Sequence, residues 1–178
     1  MAECLYTESL IESSGAQLIV YAAERNREEL SSHETNIKRV QPDAWTAFND
    51  LMETARTKET NLSPEELPRV GDVIWVQTGG NKTIGFCLVR ESLNTAINKK
   101  AIKPIFKSIA NKAKELGINY CGMDTFSCTS GKEWSEISEE IEEYSADVTP
   151  IVCVPTNELL EDFLTSLPGK EFKMIKAK

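Results

Sequence analysis

Apolar and polar positions divide the chain into alternating strands and helices. Residues 17–23 (Gln-Leu-Ile-Val-Tyr-Ala-Ala) run apolar after Ser13, Ser14 and Gly15, the pattern of a strand covered on both faces of a sheet. Residues 24–41 are polar and charged without a clear period, and they read as a long loop with room for a short helical turn. Pro42 and Asp43 open an amphipathic helix with Ala44, Trp45, Phe48, Leu51, Met52 and Ala55 on one face. A polar connection over 57–68 follows, with one capped turn at 63–66. Strands at 70–76 and 83–91 join across 78–81 as a hairpin.

The pattern then returns to helix from about Asn98 to Leu116, with Ile102, Ile105, Phe106, Ile109, Ala113 and Leu116 inward and Gly117 as the stop. Pro104 is expected in the first turn of that helix. A strand at 118–123, a polar loop at 124–132, a helix carrying Trp134, Ile137, Ile141 and Tyr144, and a strand at 149–155 complete the alternation. Thr156 and Asn157 cap a last helix with Leu159, Leu160, Phe163, Leu164 and Leu167, and a tail runs from Pro168. This order predicts a three-layer α/β/α fold around a mixed, mainly parallel sheet. At 178 residues one domain is expected, with the C-terminal helix and tail at about 156–178.

The net charge of −8 argues against a nucleic-acid partner, because that affinity rests on Lys and Arg neutralising phosphates. No stretch approaches the roughly 18 apolar residues of a membrane span, and the first ten residues lack the pattern of a secretory leader. Five spread cysteines without a Cys-x-x-Cys pair read as buried thiols of a reducing, cytoplasmic compartment. The single histidine, His33, has no neighbours at metal-ligand spacing, so no metal or cofactor is expected.

In an open α/β sheet the binding crevice lies beyond the carboxyl ends of the strands, which directs attention to the loops after Ala23 and after Met123. In the second loop, Asp124, Thr125, Phe126, Ser127, Cys128, Thr129, Ser130 and Gly131 lead into a helix N-terminus, whose free N–H groups favour an anion. The Ser-Gly-Lys fragment is not a P-loop: Phe126 stands at the first glycine and Glu133 at the magnesium-binding hydroxyl. The glutamates of the following helix read as a solvated face. Cys128 near a helix start is a weak candidate nucleophile, and Asp124 a weak candidate catalytic carboxylate.

The stretch from Ala101 to Val154 resembles the C-terminal half of macro domains: a helix ending Lys-Glu-Leu-Gly, then Ile-Asn-Tyr-Cys-Gly-Met, a small-residue loop, Lys-Glu-Trp-Ser-Glu-Ile-Ser and a closing apolar strand. It looks most like the branch containing the terminal ADP-ribose protein glycohydrolase, with Trp134 fixing the register. The resemblance extends more weakly back to about residue 3. It implies a site for ADP-ribose or a related adenine nucleotide formed by Glu8, Tyr21, Ala22, Asn26 and the loop residues Thr125 to Gly131. Glu8 takes the place of the aspartate that meets adenine.

The loops depart from the family pattern. Glu24, Arg25, Asn26, Arg27, Glu28 and Glu29 replace a first loop rich in Gly and Ala, so a diphosphate there needs Arg25 and Arg27 to turn toward it. Ser127 to Thr129 replace Gly-Cys-Gly, Ser130 stands at the catalytic aspartate, and Arg90 replaces the reactive lysine. The resemblance thus implies a nucleotide-binding module with weak or no hydrolysis. Two alternatives are a scaffold that binds a protein partner, and an ADP-ribosyl hydrolase or ADP-ribose-phosphate phosphatase with altered catalytic residues.

Overall fold

The computed structural model describes residues 4–11, 15–26, 31–57, 68–77, 82–92, 95–144, 147–167 and 173–174. The expected turn at 63–66, the hairpin turn at 78–81, the Tyr144 side chain and most of the tail lie outside the described residues. The elements are β1 (Leu5–Glu8), β2 (Leu18–Glu24), α1 (Ser32–Val40), α2 (Pro42–Thr57), β3 (Val73–Gln77), β4 (Thr83–Arg90), α3 (Lys99–Leu116), β5 (Tyr120–Met123), α4 (Gly131–Tyr144), β6 (Thr149–Val154), α5 (Asn157–Thr165) and β7 (Lys173–Met174). They form one seven-stranded sheet in the order β3-β4-β2-β5-β6-β1-β7. Only the β3–β4 pair is antiparallel.

Strand β2 is buried along its whole length, and its side chains divide by parity. Leu18, Val20 and Ala22 join a core under α3, α4 and α5, whereas Ile19, Tyr21 and Ala23 join a second core under α1 and α2. Phe48 of α2 stacks on Phe86 of β4 with ring centres 4.2 Å apart. On the other face, Trp134 stacks on Phe163 at 4.9 Å and donates its indole N–H to the Tyr6 hydroxyl, fixing α4 between β1 and α5. The apolar runs therefore meet the expected layers.

Three local expectations change, and one strand joins those expected. The segment 24–41 is not one loop: Ser31 caps α1, accepting from the Glu34 N–H at 2.9 Å. Residues 5–8 form β1, a short strand whose pairing with β6 supplies what its length does not. Pro104 falls in the second turn of α3, where it is exposed. Leu51 and Leu116, expected inward, are exposed.

Strand β2 sends its chain to α1 and α2 on one face, and its neighbour β5 sends its chain to α4 on the other. This divergence makes the carboxyl ends of β2 and β5 the topological switch point, where open α/β sheets place a binding crevice.

Candidate functional site

Asp124 directly follows the last residue of β5, at the switch point beside β2. Its backbone N–H still donates to Val20, extending the ladder by one bond, but the next donor, the Ala22 N–H, meets the side chain. Oδ2 accepts from Ala22 at 2.9 Å and Oδ1 from the Phe126 N–H at 2.9 Å. His33 of α1 brings Nε2 to 2.8 Å from Oδ2, at ion-pair distance. A carboxylate that is 7% exposed is thus held by two backbone amides and an imidazole.

The loop above it turns sharply. The Cys128 N–H donates to the Thr125 carbonyl at 2.9 Å, and both central residues are left-handed, Phe126 at φ 48° and Ser127 at φ 65°. Positive φ at both positions is the signature of a type I′ turn, which favours Asn-Gly. Among the described residues these are the only non-glycine positive φ angles. Three contacts hold the turn: the Asp124 bond to Phe126, the Thr125 hydroxyl donating to the Cys128 carbonyl at 3.0 Å, and the buried Phe126 ring beside Phe106. The glycine-type path of the loop is therefore kept without its glycines.

Further charge gathers at the end of β2. Glu24 is 3% exposed, and Arg90 Nε lies 3.6 Å from its Oε2. Burial pushes the Glu24 carboxyl up, against the lowering effect of the Arg90 charge. Burial works against a protonated His33, but the Asp124 contact and the charges of Asp124, Glu24 and Glu34 override it and raise its pKa. Arg25 turns away from the crevice, donating to the Pro68 carbonyl at 2.8 Å and to Glu91 at 2.9 Å. Arg27 lies outside the described residues.

Three donors at the start of α4 already have internal acceptors. The Gly131 N–H donates to the Asp162 carboxylate of α5 at 2.6 Å, the Glu133 N–H to Ser130 Oγ at 3.2 Å, and the Thr129 hydroxyl to Glu133 at 2.8 Å. Ser130 is thus a helix cap. A Cβ on Gly131 would collide with the Asp162 carbonyl and the Ser166 hydroxyl, so this glycine serves the packing of α4 on α5.

The proposed ligand-binding residues therefore separate into two groups. Glu8, Asn26, Thr125, Ser127, Thr129 and Ser130 keep exposed or half-buried surface at the carboxyl edge. Tyr21, Ala22, Phe126, Cys128 and Gly131 are buried. Tyr21 stacks on Phe86 in the α1–α2 core, and Phe126 lies in the opposite core, so the Phe126 ring is not free to pack on a ribose. Burial pushes the Cys128 thiol up to about 12, with Glu133 and Asp124 adding to the effect, which keeps it protonated rather than nucleophilic at neutral pH. His33 is the residue sequence reasoning missed as a partner of Asp124. A cavity of about 510 Å³ bordered by Asn111, Lys114, Asn119 and Asp147 lies at the other end of β5, away from these groups.

No family model matches the chain, and no curated protein matches its sequence. Solved structures do. The macrodomain of Thermus aquaticus DarG aligns with a TM-score of 0.66 at 14% identity, over 85% of this chain and 98% of its own. A macrodomain protein from Streptomyces coelicolor aligns at 0.67 and 13% identity, over 87% of this chain and 100% of its own. Thermosipho africanus DarTG, solved in complex with ADP-ribose, aligns at 0.61 and 15% identity over 80% of this chain and 39% of its own. The chain has a macrodomain-like fold.

Proposed function

We propose that this chain is a nucleotide-binding module that takes ADP-ribose or a related adenine nucleotide along the carboxyl edge of its sheet, with weak or no hydrolysis. The observation that carries this reading is the left-handed turn at Phe126 and Ser127, set at the crevice between β2 and β5. Backbone strain of this kind persists where a loop must follow a ligand-shaped path. Glu8 is exposed at the end of β1 on the same edge. The sheet order places it two strand spacings from β5, about 10 Å, a span that an adenine at Glu8 and a diphosphate over residues 127–130 would use. Structural relatives include one solved with ADP-ribose.

The groups present support the reading of weak or no hydrolysis. Ser130 is a cap, Arg90 sits beside Glu24, the Cys128 thiol is protonated, and both Asp124 oxygens have donors. Calorimetric titration with ADP-ribose is expected to show saturable binding with a Kd between millimolar and micromolar, about −4 to −8 kcal/mol, weakened by Glu8→Ala. No heat at millimolar ligand would refute the reading.

A second reading, a scaffold for a protein partner, draws on the internal carboxylates of Asp124, Asp162 and Glu133 that already take the loop donors. Selective capture of one protein by a chain that shows no nucleotide binding would favour it.

A further inference from the structure

The convergence on Asp124 has a chemical reading that does not depend on ADP-ribose. Two amides from different elements, Ala22 on β2 and Phe126 in the loop, and the His33 imidazole of α1 point at one small anion. Ala22 and Phe126 are buried, so neither N–H can turn to bulk water when its acceptor is removed. The His33 side chain is 35% exposed overall, with its Nε2 end buried against Oδ2.

We propose that Ala22, Phe126 and His33 form an oxyanion-binding cradle and that the Asp124 carboxylate is its built-in occupant. The cradle is selective for a small oxyanion because it offers two fixed amides, one to each oxygen, and an imidazole beside one of them. Any external carboxylate or phosphoryl oxygen must displace Asp124 to reach these donors. The side chain thus sets the threshold for anion entry at the β2–β5 crevice, in addition to holding the turn.

Replacing Asp124 with Ala removes one carbon and two oxygens, the heavy atoms of a formate ion, and leaves the donors in place. The test is thermal unfolding of wild type, Asp124→Ala and the double variant Asp124→Ala with His33→Ala, in sodium formate and in sodium chloride of equal ionic strength. Asp124→Ala is expected to melt lower than wild type in chloride and to recover saturably in formate, by on the order of 5 °C. Wild type should show no such difference between the salts, and the double variant should lose most of the recovery.

If Asp124→Ala does not fold in chloride, refolding from urea is measured in both salts. Folding only in formate supports the cradle, and an unfolded chain at saturating formate overturns it. Equal melting in the two salts, or equal formate stabilisation of wild type and variant, also overturns it. A recovery untouched by His33→Ala removes the histidine from the cradle.

Discussion

The turn at Phe126 and Ser127 can be tested by relaxing one of its two left-handed residues. Phe126 is unsuited to this, because its ring is fully buried and truncating such a ring costs about 3–5 kcal/mol, which would mask any relief of strain. Ser127 is half-buried, at φ 65°, and no side-chain hydrogen bond ties it to its neighbours. Left-handed backbone costs an L-residue roughly 1–2 kcal/mol relative to glycine. Glycine in turn gives back about 0.5–1 kcal/mol through the larger entropy of the unfolded chain. Ser127→Gly is therefore expected to stabilise the fold by about 0.5–1 kcal/mol. For a chain of 178 residues that corresponds to a rise in Tm of roughly 1–4 °C. Urea unfolding at constant m-value reads the change, with Ser127→Ala as the control that removes the hydroxyl and keeps the strain. A Ser127→Gly variant less stable than Ser127→Ala would show that the turn is not strained at this residue.

Two further substitutions address the neighbouring contacts. Gly131→Ala should cost more than 2 kcal/mol by driving a methyl into the Asp162 carbonyl, and wild-type stability in urea would refute the assigned packing of α4 on α5. His33 has its pKa raised, above the ordinary value of about 6.5, so its ion pair stabilises the fold fully below that value and loses its effect as pH rises through the folded-state value. His33→Gln should therefore cost stability at pH 5.5, roughly 0.5 kcal/mol after solvent screening, and less at pH 9. The chain has one histidine, so its proton NMR titration reads the shift directly, and a midpoint below 6.5 would contradict the pairing.

Much of the fold was legible because burial imposes periods that the sequence displays. Strand β2 is an unbroken apolar run because both faces are covered, and α2, α3, α4 and α5 show apolar stripes because one face of each is. Helix α1 has no such stripe: Ile37 is its one buried apolar residue, and Glu34 is buried because it accepts from the Trp45 indole at 3.0 Å. The available signal was local, a Ser31-x-x-Glu34 capping pattern. Strand β1 is four residues long and gains its structure from β6, which no local pattern announces.

The candidate site was legible in position and not in detail. Switch-point reasoning located the crevice and the loop after β5. The Asp124–His33 pair, in contrast, joins the loop after β5 to the first turn of α1, and only the folded chain brings them within 2.8 Å. Gly131 reads as a loop glycine from its neighbours, but its role is set by Asp162 of α5, which sequence spacing does not place beside it.

The most direct test of the nucleotide-binding account is a crystal of this chain soaked in millimolar ADP-ribose. The account predicts adenine against Glu8 and the diphosphate over residues 127–130 at the β2–β5 crevice. An empty carboxyl edge, or the nucleotide seated in the cavity beside Asn111 and Lys114, would contradict it.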